Sequence, residues 1–497
     1  MDKSIPILSL SILTLLPIGA GAQQFDYLAH QRMENAVARL SDPQTADDLA
    51  VDADAIMATL GLAWSAAIPA DSPDRSFEPE AGAVIELVDI RLLLTQIAIQ
   101  AGARDHHALL RAQGERERNV ILLRGGAVAL PELFRLSRDT PAQDFVIETP
   151  EGIRLTRPLA IWSDAGLSLD AKDHLVLDQA SGSFVANLGR LDVQGGTISG
   201  NTGENIGEPG FRPFVLTAGR GGFTAKKARF RHLGFGKSPV FGGITVVNNG
   251  LVVPEVSSII ADSSVDDVAT LALIGTTDAA VFGNRISNST AAAILISNAQ
   301  GSFVSDNHLI ALTGPQAIRI TAGSSDVRVR SNLLSGASRM GILVDPDSYD
   351  VTISGNLVTG SEFTGVSVDG ARCILLTDNL VAGNSGAGIS LKASDEIIAA
   401  NNAILFNHGS GVLVRDQVTN ALVQLSGNVL MANRDGLRGA TPGNVLLQGN
   451  DLERQMPRVF AGDLAALNVN WLRNRRHATP VSVQSPTRAG CAPQGNG

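Results

Sequence analysis

Aromatic side chains are scarce in this sequence: 16 Phe, 3 Trp and 2 Tyr in 497 residues, 4% of the chain. So few rings exclude a large globular core filled by bulky side chains. With 51 glycines and abundant Asn, Val, Ile and Leu, the composition points instead to many short stacked strands. Cysteine is nearly absent. Cys373 and Cys491 are too few for a disulfide framework, one in repetitive sequence and the other in a polar tail, so free thiols are expected. A basic surplus is missing as well: the formal net charge of -10 excludes general nucleic-acid binding, and an anionic ligand would need a local basic strip on an acidic body. Long apolar runs are confined to the N-terminus. "MDKSIPILSLSILTLLPIGAGAQQ" carries Lys3, an apolar run from Ile5 to Leu16 and the small residues Ala20 and Ala22. That run is too short for an ordinary membrane-spanning helix and reads as a secretory signal over 1–22, with Asp2 as its atypical feature. The mature chain is therefore expected to be soluble and exported.

Residues 23–118 carry helical signals. "ADDLAVDADAIMATLGLAWSAA" and "AVIELVDIRLLLTQIAIQAGARDHHALLRAQGERER" have apolar residues at helical spacing, with a Pro-rich loop between them. They predict a small α-helical N-terminal domain, with His106 and His107 near a helix end. From 119 to 450 the pattern changes to short Val, Ile and Leu runs separated by Gly, Asn, Asp and Ser. Asparagine recurs at 284, 307, 332, 356, 379, 402, 428 and 450, in steps of 22 to 26 residues. A second motif keeps phase with it: "AILIS", "AIRIT", "GILVD", "GVSVD", "GISLK" and "GVLVR", starting at 293, 317, 341, 365, 388 and 411. Repeats of this length with short strands and no helix predict an all-β fold, a right-handed parallel β-helix. Stacked Asn side chains would bond up and down the ladder, a structural role. Residues 451–497 lose the period and are expected to form a capping helix followed by a disordered tail.

Strand alternation places Ile342 and Val344 inside and Leu343 and Asp345 outside. The same rule yields two outward columns: Leu295, Arg319, Leu343, Ser367, Ser390 and Leu413, beside Ser297, Thr321, Asp345, Asp369, Lys392 and Arg415. Two acids followed by two bases form a stripe that is either a solvated face or a track for a long polymer. Arg319, Lys392, Arg415 and Arg372 suit the carboxylates of a polyuronate.

At this point the chain resembles the bacterial periplasmic mannuronan C5-epimerases of alginate biosynthesis. The resemblance rests on "GIRLTRPLAIWSDAGLSL" (152–169), "SGSFVANLGRLDVQGGTISG" (181–200), "FRPFV" (211–215) and "FRHLGFGKSPVFGGITV" (230–246), and covers roughly residues 150–440. It implies a β-helix that converts mannuronate to guluronate within a polymer, with no cofactor, an anionic polysaccharide as partner and a periplasmic polysaccharide export complex around it. "DPDSYD" falls where the family carries Asp-Pro-His-Asp. Aligned on Asp-Pro, the family's histidine base becomes Asp347; aligned by coil, it becomes Asp345. The family's carboxylate-neutralising arginine has Arg372 as its counterpart, displaced by about two residues.

Removing a C5 proton beside a carboxylate requires that carboxylate to be neutralised, a base within hydrogen-bond reach and a donor on the opposite face. Arg372 or Lys392 can neutralise, Asp345 or Asp347 can take the proton, and Tyr349, Lys392 or water can return it. An ordinary Asp, with a pKa of about 3.9 against about 6.5 for His, is the weaker base. Crowding of Asp345, Asp347 and Asp369 would raise one of them, and Lys392 would lower it. Three classes remain open on the residues: a C5-epimerase; another β-helix carbohydrate enzyme, either a lyase or a hydrolase using paired carboxylates; and a non-catalytic polymer-binding scaffold. His232 is expected to be structural, and His308 and His408 lack partners at metal-ligand spacing. Asp266 and Asp267 form an acidic pair of the kind that sometimes holds calcium.

Overall fold

The computed structural model describes residues 27–40, 49–62, 82–103, 106–114, 118–201, 210–236, 238–250, 252, 254 and 256–474. The expected signal segment, the Pro-rich loop core, Cys491 and the C-terminal tail lie outside them. The chain winds as a right-handed β-solenoid of about 12 turns. Its strands stack into three long sheets, a first of 15 strands and a second and third of 13 each. One turn shows the rule: Met340–Val344 lies in the first sheet, Tyr349–Ser354 in the second, Leu357–Thr359 in the third, and Thr364–Asp369 returns to the first. Stacking is parallel, as with Ile342 on Val366 and Val344 on Val368.

The interior consists of aliphatic columns, one side chain per coil. Ile318, Ile342, Val366, Ile389 and Val412 form one of them, each at most 1% exposed. Burying each such side chain is worth roughly 1.5–3 kcal/mol against conformational entropy. The expected asparagine ladder runs from Asn284 to Asn450. Asn356 accepts from the backbone N and Nδ2 of Asn332, both at 2.9 Å, and gives its own to Asn379 Oδ1. A primary amide is both donor and acceptor, so it satisfies the turn above and the turn below at once. A second ladder, unforeseen from the sequence, links Asn384, Asn407, Asn433 and Gln455.

Helices cover parts of the outer surface. Helices α1 (Tyr27–Leu40) and α2 (Leu49–Thr59) set Met33, Val37, Leu40, Ile56 and Met57 against Leu333, Leu357, Leu380 and Leu405 on the outside of the third sheet. Helices α3 (Ile90–Ala101) and α4 (His106–Ala112) seat Leu93, Ile97 and Leu109 over Val120, Leu122, Phe184 and Leu216 at the start of the first sheet. Asp89 caps α3 by accepting from the Arg91 N–H at 2.8 Å, and Gly102 ends it at φ 65°. Helices α5 (Leu130–Ser137) and α6 (Leu467–Asn474) lie near the two ends. Among the described residues no helix is long and apolar enough to cross a membrane.

One expectation is corrected. The segment Val84–Asp89, read as helical, is a strand paired antiparallel to Asn119–Arg124; ladder pairing overrides its helical spacing. The solenoid also gains a strand past the last asparagine, Arg458–Gly462.

Candidate functional site

The outward column of the first sheet turns from the apolar Ala272 and Leu295 to charge at Arg319, where the site begins. The two outward columns stand in the expected register. Leu295, Arg319, Leu343, Ser367, Ser390 and Leu413 are stacked neighbours, and Asp369, Lys392 and Arg415 follow one another in the adjacent column.

Charges in these columns are paired across coils. Arg319 holds Asp345 at 2.5 Å, with the Asp345 side chain only 15% exposed, and Lys392 holds Asp369 at 3.0 Å. Arg415 turns to Asp416 at 3.3 Å. The three-carboxylate crowd anticipated from the sequence is therefore divided: two of its members each have a cation on a neighbouring coil. Asp347 is different. It sits at the exposed turn between the first and second sheets with φ 68°, and among the described residues its carboxylate has neither a hydrogen bond nor an ion pair. Its backbone N–H donates to Gly370 O at 3.1 Å, which seats this turn on the turn of the next coil. Asp326, Asp350 and Asp378 share this left-handed backbone, so the φ at Asp347 belongs to the turns of the solenoid.

Arg372, two residues beyond Gly370, starts the second-sheet strand stacked on Tyr349–Ser354. Its guanidinium lies 5.2 Å from the Tyr349 ring centroid, and no carboxylate engages it among the described residues. Asp347, Tyr349 and Arg372 thus share one exposed corner, whereas Asp345 lies beneath it, tied to Arg319.

Sequence reasoning missed the opposite corner. Phe363 stands where the third sheet turns into the first, 56% exposed, with the Arg339 guanidinium 5.7 Å from its ring centroid. Phe363 and Tyr349 are the exposed aromatic residues among those described, and they bracket the same stretch of the first sheet. Aromatic scarcity was the available signal: an exposed ring in so ring-poor a chain stands out only once burial is known.

His232 does not enter this corner. It lies several coils upstream, where its Nδ1 is 2.7 Å from Asp267 Oδ2, beside Arg212 at 2.9 Å from the same oxygen. Burial works to raise the Asp266 carboxyl, but hydrogen bonds from Ser287 and Asn288, each 2.7 Å, with Arg231 and His232 nearby, outweigh it and hold it below the ordinary value. Both acids of that pair are thus occupied by protein groups.

Fold and site together define a parallel β-solenoid with an open, charge-sorted face framed by two aromatic–arginine pairs. The chain is similar in fold to the periplasmic alginate epimerase AlgG. A single-site variant of that enzyme superposes with a TM-score of 0.67 at 19% identity, over 80% of this chain and 100% of the other. Another AlgG crystal structure gives a TM-score of 0.55 at 20% identity, over 79% of this chain and 89% of the other. The profile of the family described as "Periplasmic copper-binding protein (NosD)" matches residues 271–446. No curated protein matches the sequence. Among the described residues, no group of three or more His, Cys, Asp or Glu side chains converges in a way that could hold a metal ion.

Proposed function

We propose that the protein modifies an anionic polysaccharide, and that its reaction is C5 epimerisation of a uronate polymer such as polymannuronate. The observation that carries this reading is the corner itself: a carboxylate with no protein partner, Asp347, one coil from a guanidinium with no carboxylate partner, Arg372, among the described residues.

In this reading the polymer lies along the first sheet, meeting one coil after another. Arg372 pairs with the uronate carboxylate and draws charge from the carbanion that forms beside it, a type of contact worth roughly 3–4 kcal/mol in a transition state. Asp347 takes the C5 proton. The Tyr349 hydroxyl, held beside Arg372, returns a proton to the other face. Arg319, Asp369, Lys392 and Arg415 line the track, and Phe363 and Tyr349 offer ring faces to the sugars. Asp345, clamped by Arg319, supports the turn rather than contacting the sugar. The fold likeness to an alginate epimerase supports this choice of substrate class.

A hydrolase is disfavoured because it needs two available carboxylates, and two of the three here are held by cations. A lyase shares the carbanion and differs in expelling the C4 oxygen. We place the protein in the periplasm, in keeping with its N-terminal sequence and with the periplasmic location of AlgG, and we place it beside a polysaccharide export complex.

The test is proton NMR of polymannuronate incubated with the purified protein. New guluronate signals support epimerisation, unsaturated ends identify a lyase, and new reducing ends identify a hydrolase. An unchanged spectrum with binding retained leaves a scaffold.

A further inference from the structure

The last coils of the first sheet hold a charge cluster that the proposed reaction does not use. Asp435 is completely buried, and three arginines surround its carboxylate: Arg438 at 2.8 Å, Arg458 at 2.6 Å and Arg434 at 3.7 Å. One guanidinium suffices to compensate one buried carboxylate. Three leave a surplus of two positive charges on a protein whose net charge is -10. Arg434 and Arg458 are each more than half exposed, and each guanidinium has five donors, so most of their hydrogen-bonding capacity faces solvent. Arg438 stacks directly on Leu413, and so continues the outward column that begins at Leu295 and Arg319. Arg438 therefore lies in line with the polymer track, its fork hydrogen-bonded to the buried Asp435, with Arg434 and Arg458 gathered at the same carboxylate.

Resting on the uronate-polymer reading above, we infer that this cluster is a distal anchoring subsite for polymer carboxylates. Arginine forks grip carboxylates bidentately, which gives both charge and orientation. The strand of Arg438 is four strands beyond that of Asp345. At about 4.8 Å per strand the separation is roughly 19 Å, or about four linked sugars at roughly one per coil. The protein thus selects long chains: a chain must reach from the Asp347 corner to Arg438 and Arg458 before it gains the second grip.

The test is calorimetric binding of size-defined mannuronate oligomers, from trimer to decamer, at low salt. The full chain is compared with R438Q/R458Q. Because that variant leaves Asp435 buried beside Arg434 alone, D435N/R438Q/R458Q, which removes the buried charge, is measured too, with melting temperatures for both. The wild type should gain at least tenfold in affinity between oligomers shorter and longer than about five sugars, and a folded variant should lose that step while binding trimers as before. Equal length dependence in a folded variant overturns the subsite, as does an equal step with neutral glucan oligomers, or no uronate binding at any length. Guluronate production is scored separately. A length step without guluronate supports the subsite and counts against the epimerase, whereas guluronate with no step does the reverse.

Discussion

Asn356→Ala tests what holds the solenoid together. Asn356 is completely buried at the centre of the ladder. Its Oδ1 accepts from the Asn332 backbone N–H and Nδ2, both at 2.9 Å. Its own Nδ2 donates to Asn379 Oδ1 at 3.0 Å, Val329 O at 3.0 Å and Ser354 O at 3.2 Å. Truncation leaves the Asn332 N–H buried without an acceptor, at about 1–3 kcal/mol, and removes further buried bonds at about 0.5–1.5 kcal/mol each. Asn332 Nδ2 keeps Val304 O and Arg330 O, which limits the loss. The expected cost is about 3–5 kcal/mol, read from the midpoint of urea denaturation followed by circular dichroism. Asn450→Ala is the control. It ends the ladder half-buried, where water replaces what the amide provided, so about 1 kcal/mol is expected. Equal costs at the two positions, or a cost below about 1 kcal/mol at Asn356, would refute the view that buried amide pairing between coils specifies this stack.

Asp347→Gly should abolish turnover yet leave the melting temperature unchanged or higher, because glycine adopts φ 68° without strain; scanning fluorimetry beside the NMR assay checks both halves. Asp306→Asn should stabilise the protein at neutral pH. Burial raises that carboxyl above its ordinary value despite Ser305, Arg330 and His308, so the fold binds the proton more tightly than the unfolded chain does. Stability contributed there is lost as pH rises through the raised value, and the gain from Asn should fade as pH falls below about 4, seen in melting curves across pH. Asp266→Asn carries the opposite sign. Its carboxyl is held low, so its contribution is present above the ordinary value and is lost as pH falls through the depressed one, and removing it should lower the melting temperature at neutral pH but not in acid.

The solenoid was legible because its two requirements repeat in sequence. A buried amide must recur once per turn to bridge neighbouring coils, which put Asn307, Asn332 and Asn356 in register. Strand alternation then told Ile342 and Val344 from Leu343 and Asp345. What stayed hidden depends on corners and on pairing over one whole coil. Arg319 reaches Asp345 from 26 residues away. Alternation gave their columns but not their ion pair, and so not the isolation of Asp347. Phe363 and Arg339 fall outside the alternating motif, at the turn between sheets. Asp435 stands one coil past the last copy of the motif, where nothing local marks a buried charge with three arginines. The strand Val84–Asp89 was missed because its partner, Asn119–Arg124, lies across two helices.

The most direct test of the central claim is deuterium incorporation at C5 of polymannuronate in D₂O, comparing the wild type with Asp347→Asn. The account predicts deuterium and guluronate from the wild type. For the variant it predicts a loss of about 10²-fold or more with polymer binding retained. Deuterium appearing as fast in the variant, or in neither protein, would contradict it.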